Sequence, residues 1–385
     1  MSELAIIPNG GMLIHDDKIG RVGPSEEIER NSDGAKIIDV GGRIVLPGFV
    51  DAHTHLVFAG NRLDDFERRI RGENYEQIAK AGGGIWSTVE KTRSATATDL
   101  FEQAKKHAEW FLKCGTTTVE AKSGYGLTVN DELKVLGVMR RLKDDMPLEI
   151  VPTFLGAHAV PRGMSTDEYV DLVINEMLPR VAAEKLAEFC DVFCERGYFD
   201  IAQSRKTLSA AKKLGLKLRG HVDQLSNSSG ANLMAELGAT TADHLEKTDK
   251  NGFAAMRLAG VQPVLLPGSV YALGSTAYPG AREMIESGLS VVLATDFNPG
   301  SSPTSSMPMV LSLACAQMKM SPAEAITAST INAAYSLNRG DTIGSLEPEK
   351  LANFATFDCE DYRELAYWFG ISLTHSVYVR GNRVV

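Results

Sequence analysis

Cysteine is scarce in this chain, five among 385 residues, and no two stand in a Cys-x-x-Cys pair. An odd, unpatterned set excludes a disulfide framework and a thiolate metal ribbon, and reads as reduced thiols packed in an interior. Basic charge is not in excess: the formal net charge is −9, which argues against nucleic acid or an anionic membrane surface as a partner. The basic cluster Arg68-Arg69-Arg71 is interleaved with Asp64, Asp65, Glu67 and Glu73 and is expected to be a solvated helix face. No apolar run is long enough to span a bilayer and no charged-then-apolar export signal opens the chain, so a soluble cytoplasmic protein is expected. The phosphate-binding Gly-x-x-x-x-Gly-Lys-Ser/Thr spacing is missing too, which leaves Gly82-Gly-Gly84 as a loop over a site. Lys122-Ser-Gly-Tyr-Gly126 has glycine on only one side of Ser123 and is no nucleophile elbow.

Histidine is also rare, with eight in all, and their placement is the most informative feature present. The segment Val45-Leu-Pro-Gly-Phe-Val-Asp-Ala-His-Thr-His-Leu56 ends an apolar run in His53 and His55. On a strand, the period of two points both imidazoles to one face, close enough to share a metal ion. His158, His221 and His244 each close a further apolar or β-branched run, and Asp296 closes the run that starts at Leu289. His15, His107 and His375 lie in a polar turn, a helix and a terminal strand, and read as bland.

The chain is long enough for a large core, with 44% hydrophobic residues, and one large domain with a small accessory unit fits best. Eight strands are predicted at residues 49–55, 116–121, 149–156, 190–195, 216–221, 239–244, 261–266 and 289–296, alternating with amphipathic helices. That alternation is the pattern of a (β/α)8 TIM barrel, whose active site forms at the C-terminal strand ends, where the histidines and Asp296 stand. An open doubly wound sheet is the competing fold, but it expects a glycine-rich turn where His53-Thr-His55 stands. Residues 1–46 hold short strand-like pieces at 12–15, 19–22 and 37–40, and the C-terminus resumes that texture. A small β-sandwich of residues 1–46 and 346–385, packed on a barrel of residues 47–345, is therefore predicted.

Several segments carry a family resemblance: His53-Thr-His-Leu-Val-Phe-Ala-Gly-Asn-Arg62, Gly82-Gly-Gly-Ile85, Glu120-Ala-Lys-Ser-Gly-Tyr-Gly-Leu127, Thr153-Phe-Leu-Gly-Ala-His-Ala-Val-Pro161, His221-Val-Asp-Gln224 and Ala294-Thr-Asp-Phe-Asn-Pro-Gly-Ser301. Together they resemble the amidohydrolase superfamily of metal-dependent hydrolases, and more narrowly the imidazolonepropionase family. The resemblance implies hydrolysis of the cyclic amide 4-imidazolone-5-propanoate to N-formimidoyl-L-glutamate in histidine degradation. It implies His53, His55, His221 and Asp296 as metal ligands. Three nitrogens and one oxygen suit one zinc or iron ion per chain, which would activate water and polarise a carbonyl. No lysine ends the fourth strand, where Glu195 stands, so a carbamate-bridged second metal is not expected.

The resemblance further implies Arg62, Tyr75 and Tyr125 on the substrate's propionate, and His158, Gln224, Asn298, Gly300 and Ser301 around the ring. His244 and Asp296 are the candidates for proton transfer, with Gln224 beside them. Relatives of the cytosine or guanine deaminase type carry His-x-x-Glu after the fifth strand, where this chain has His221-Val-Asp-Gln224; a deaminase of the same fold is the nearest alternative. A catalytically dead barrel would show a broken ligand set, and none of the ligands is missing. The expected partners are a small-molecule substrate and a second copy of the chain in a homodimer, with no nucleic acid and no membrane.

Overall fold

A computed structural model describes all residues except 33, 74–76, 79 and 80. The N-terminal hairpin pairs β1 (Gly10–His15) with β2 (Lys18–Pro24). β3 (Ile44–Pro47) then turns at Gly48 into β4 (Phe49–Thr54), and a Cβ at Gly48 would collide with the Thr117 side chain. The following strands are β5 (Thr116–Lys122), β6 (Glu149–Ala157), β7 (Phe189–Cys194), β8 (Lys217–Leu218), β9 (His221–Val222), β10 (Thr241–His244), β11 (Gln262–Leu265) and β12 (Val292–Leu293). They pair in parallel in the order β4-β5-β6-β7-β9-β10-β11-β12, and β8 pairs with β7 as the first half of the fifth stave. The ring closes between the last and first staves: His55 N donates to Phe297 O at 2.8 Å and Asp296 N to His53 O at 3.0 Å. This is the (β/α)8 barrel that the alternation of strands and helices predicts.

Helices between the staves bury apolar faces, and several begin where a side chain caps them. Ala97–Lys113 starts at Thr96, which forms a capping box with Asp99, and Ile201–Lys213 starts at Asp200, boxed with Gln203. The sequence pattern predicts one helix over 166–184, and the structure interrupts it with a π turn at Val173–Met177. Pro179, in the segment just after it, offers no backbone N–H to the preceding turn.

The interior of the barrel adds buried charges to the usual aliphatic layering, which Val151, Val264 and Val292 supply. Asp51, His53, Glu120, Lys122, Asp191, Arg219 and Asp243 are all fully buried, and their pairings across the ring place them inside it. Asp51 helps close the ring, its Oδ1 accepting from Thr295 N at 3.1 Å.

Outside the barrel, β13 (Phe354–Phe357), β14 (Thr374–Val379) and β15 (Asn382–Arg383) join β3 in an antiparallel sheet of order β15-β14-β13-β3. The β1–β2 hairpin packs on it through Ile19, Phe354 and Tyr378, the last two rings stacked at 4.4 Å. The strand expected at residues 37–40 does not form. Ile37 and Ile38 stay 70% and 56% exposed, and the chain turns directly after them, with Gly41 N on Asp39 Oδ1 at 2.8 Å. Among the described residues, no helix is long and apolar enough to cross a membrane.

Candidate metal centre and active site

The strand-end histidines converge. His55 Nε2 stands 3.5 Å from both His221 Nε2 and Asp296 Oδ1, and His53 Nε2 is 3.5 Å from the same Asp296 oxygen. Ligand atoms about 2.0–2.1 Å from a tetrahedral Zn²⁺ lie roughly 3.4 Å apart, so this spacing suits a shared ion. His53 Nε2 is fully buried without a hydrogen-bond partner, a costly state for a polar atom that a metal would relieve. Burial and neighbouring charges such as Lys122 hold the His53 imidazole well below its ordinary pKa; burial and neighbouring histidines do the same at His55 and His158. All three are therefore neutral, the form that ligates metals. His244 joins a second possible donor group with His53 and Asp296.

Two of the converging histidines are oriented from behind by carboxylates. His53 Nδ1 meets Asp243 Oδ2 at 2.7 Å, and His221 Nδ1 meets Asp191 Oδ1 at 3.0 Å. Each pair fixes a ring tautomer with Nε2 toward the cluster. Asp191 and Asp243 join the candidate site, and the sequence reading misses them because they are interior strand positions far along the chain from the histidines they contact.

His244 and Asp296 are held in unusual backbone conformations, with φ of 81° and 54°. Left-handed conformations in non-glycine residues are strained, and such strain concentrates at sites where a side chain must be aimed. It also ends the eighth stave early, at Val292–Leu293 instead of the predicted Asp296. Burial lowers the His244 pKa, but Glu246, with Oε1 3.5 Å from His244 Nδ1, outweighs it together with Asp296 and Asp243, so the net shift is upward. Burial raises the Asp296 carboxyl, partly offset by His244 and His221.

On the rim, Arg62 donates from Nε to Thr88 Oγ1 at 2.7 Å, and a Cβ on Gly300 would collide with its Nη1. A side chain at position 300 would therefore push the guanidinium aside. Asn298 Oδ1 accepts from Gly300 N and Ser301 N, each at 2.8 Å, which shapes the loop after β12. Tyr125 is buried 5.4 Å from the His158 ring, and burial raises its phenol pKa, so it remains an O–H donor. Its loop hangs on one carboxylate: Glu132 accepts from Gly124 N at 3.0 Å, Gly126 N at 2.7 Å and Leu127 N at 2.8 Å. His158 lies almost parallel to His55, with centroids 5.1 Å apart. Gln224 is half-buried just beyond His221, with no side-chain hydrogen bond among the described residues. Tyr75 lies outside the described residues.

One expectation is corrected. The Arg68-Arg69-Arg71 cluster is not wholly solvated: Arg68 and Arg71 pair with Glu73 and Glu67 at the surface, but Arg69 is half-buried and donates to Gly300 O at 3.2 Å. The glycine run at 82–84 receives the neighbouring helix Leu63–Ile70, Asp65 Oδ2 accepting from Gly84 N at 2.8 Å. Glu195 caps a loop through Leu225 N at 2.8 Å and the Ser226 hydroxyl, which makes it structural.

Residues 44–384 match the model of the amidohydrolase family. The whole chain aligns at 58% identity with an imidazolonepropionase of Solibacter usitatus (strain Ellin6076), covering 93% of that protein. It aligns at 47% with one of Geobacillus kaustophilus (strain HTA426), covering 92%.

The chain belongs to the amidohydrolase family, among the imidazolonepropionases.

This amidohydrolase is accordingly a hydrolase, and its buried His/Asp cluster is a site for a divalent metal. Among solved structures it resembles a 5-methylcytosine deaminase from Klebsiella pneumoniae liganded with phosphonocytosine, with a TM-score of 0.76 at 17% identity over 97% of this chain and 94% of that one. It also resembles the E. coli guanine deaminase, with a TM-score of 0.69 at 16% identity over 98% and 92%. At those identities the likeness is one of fold.

Proposed function

We propose that this chain opens the ring of 4-imidazolone-5-propanoate by hydrolysing its lactam C–N bond, giving N-formimidoyl-L-glutamate. The observation that carries this reading is the pairing of a compact donor cluster of His53, His55, His221 and Asp296 with a cationic rim at Arg62. A divalent ion held by those four groups supplies an activated water and a polarised carbonyl. Zinc and iron both suit three imidazoles and a carboxylate.

The chain's own residues do the rest. Arg62, held at Nε by Thr88, keeps its Nη nitrogens for the propionate, and Tyr125 adds an O–H donor. His158, Gln224, Asn298, Gly300 and Ser301 surround the ring, where neutral donors and acceptors match its mixed edges. His244 takes the proton from water, Asp296 orients that water, and the released ring nitrogen receives the proton as the C–N bond breaks. Gln224 cannot shuttle a proton because its amide is no base, which separates this site from the deaminase alternative. The same reading carries one zinc or iron ion per chain, a cytoplasmic location and a homodimer.

Purified protein incubated with imidazolone propionate should yield N-formimidoylglutamate and no ammonia. Arg62→Ala should keep its metal and lose a charged hydrogen bond of about 1.5–3 kcal/mol, roughly 10- to 100-fold in kcat/KM. Ammonia release, or unchanged efficiency in the variant, would overturn the substrate reading.

A further inference from the structure

Beneath the metal cluster lies a buried group of charges that the reaction as described leaves unused. Lys122 ends β5 inside the barrel, and its ammonium contacts carboxylates from three staves: Glu120 Oε1 at 2.9 Å, Asp191 Oδ2 at 2.7 Å and Asp243 Oδ2 at 3.7 Å. Two of these carboxylates are the ones behind the metal-facing histidines. Asp191 gives one oxygen to Lys122 and the other to His221 Nδ1, while the Asp243 oxygen near Lys122 is the one that meets His53 Nδ1. The second buried cation, Arg219, is committed to the backbone through Ala52 O at 2.7 Å and Ser336 O at 3.2 Å, and stands 3.5 Å from Asp243. None of the five charged side chains has any exposed surface.

Burying so many charges is a poor route to stability, since apolar residues of similar volume usually serve as well or better. A role in aiming the histidines accounts for the cost. Without a cation between them, Asp191 and Asp243 would repel each other in a medium of low polarity and lose the geometry that fixes both rings. Among the described residues His55 has no such carboxylate: its Nδ1 is unpartnered and its ring lies against His158.

We propose that Lys122 is a positioning residue for the metal centre, one ammonium that aims Asp191 and Asp243 at the Nδ1 atoms of His221 and His53 and so presents both Nε2 atoms to the ion. This rests on reading the His/Asp cluster as a metal site, but not on the identity of the substrate.

The test is Zn²⁺ affinity of metal-free protein, measured by competition with a chromophoric chelator in the absence of substrate. Partners of this kind are worth about 10- to 100-fold in metal affinity, so Lys122→Met should bind Zn²⁺ more weakly by that factor. Lys122→Arg, which keeps the charge, should recover part of the loss. Asp191→Asn and Asp243→Asn should each weaken binding, and each should cost less in the Lys122→Met background than in wild type, because the residues act as one unit. In turnover, Zn²⁺-saturated Lys122→Met should lose kcat with KM unchanged, since Arg62 and Tyr125 stay in place. Wild-type affinity in Lys122→Met, no recovery in Lys122→Arg, or strictly additive losses would overturn the proposal. If Lys122→Met does not fold, the two Asn variants decide it, and unchanged Zn²⁺ affinity in both counts against it. Wild-type protein that takes up no Zn²⁺ would overturn the metal reading itself, whereas a wrong substrate would leave every affinity result standing.

Discussion

His244 is the residue on which the proposed proton transfer turns. It stands 5.3 Å ring to ring from His221 and 5.7 Å from His53, with its Nδ1 toward Glu246 and a strained backbone that aims it over the cluster. Removing a general base costs about 10²- to 10⁴-fold in rate. His244→Ala should fall by that much in kcat while retaining metal, and Gln224→Ala should chiefly raise KM; steady-state kinetics with metal analysis of both variants checks this. A Gln224→Ala variant without kcat beside a near-normal His244→Ala would reverse the two roles. At this scale the converging donor residues were legible because each closes its own apolar run, a local signal. Their partners were not: Asp243 lies 190 positions from His53, and only the closed ring brings them together. Lys122 was hidden for the same reason, as its carboxylate partners come from different staves.

Among the elements, the helices were legible from periodicity: the apolar spacing predicts helices over 250–259 and 281–286, and Lys250–Ala259 and Ala281–Glu286 form. The staves were legible in number and order but not in length. Backbone turning at Asp296 shortens the eighth, and the fifth breaks into Lys217–Leu218 and His221–Val222, Gly220 standing close under Met234. The helix Pro322–Ala328 shows how a cap becomes pH-dependent. Glu324 closes a capping box with Ser321 and pairs with Arg282 at 2.8 and 3.1 Å. The Arg282 hydrogen bonds outweigh burial and hold its pKa down to about 2, from an ordinary 4.5. A depressed carboxyl stabilises the fold above its ordinary pKa, and that contribution fades as pH falls toward the folded value. Because the pair is partly solvated, screening limits it to about 1 kcal/mol. Glu324→Gln should thus lower the urea midpoint at pH 7, and its deficit should shrink steadily from about pH 4.5 downward. An equal deficit at pH 7 and pH 3.5 would show that the charge contributes nothing.

The molecule as a whole is a barrel with the metal cluster at one mouth and, beneath it, a buried ion group set among inward-facing aliphatic residues. This arrangement mixes charged side chains with aliphatic ones such as Val151, Val264 and Val292 inside the strands, while the larger apolar core lies between strands and helices and includes Phe111, Leu136, Val181 and Leu311. The terminal segments cover one side through β3 and β13, so the chain enters the barrel from the accessory sheet at Pro47. Such a molecule spends stability on a preorganised site, and its central claim is that the site directs water to one carbon, the lactam carbonyl. The direct measurement is turnover of imidazolone propionate in ¹⁸O-water, with the product read by fragment mass. One ¹⁸O should appear in the new α-carboxylate of N-formimidoylglutamate and none in the formimidoyl group. Label released in a formyl product, or loss of ammonia from an intact ring, would contradict the account.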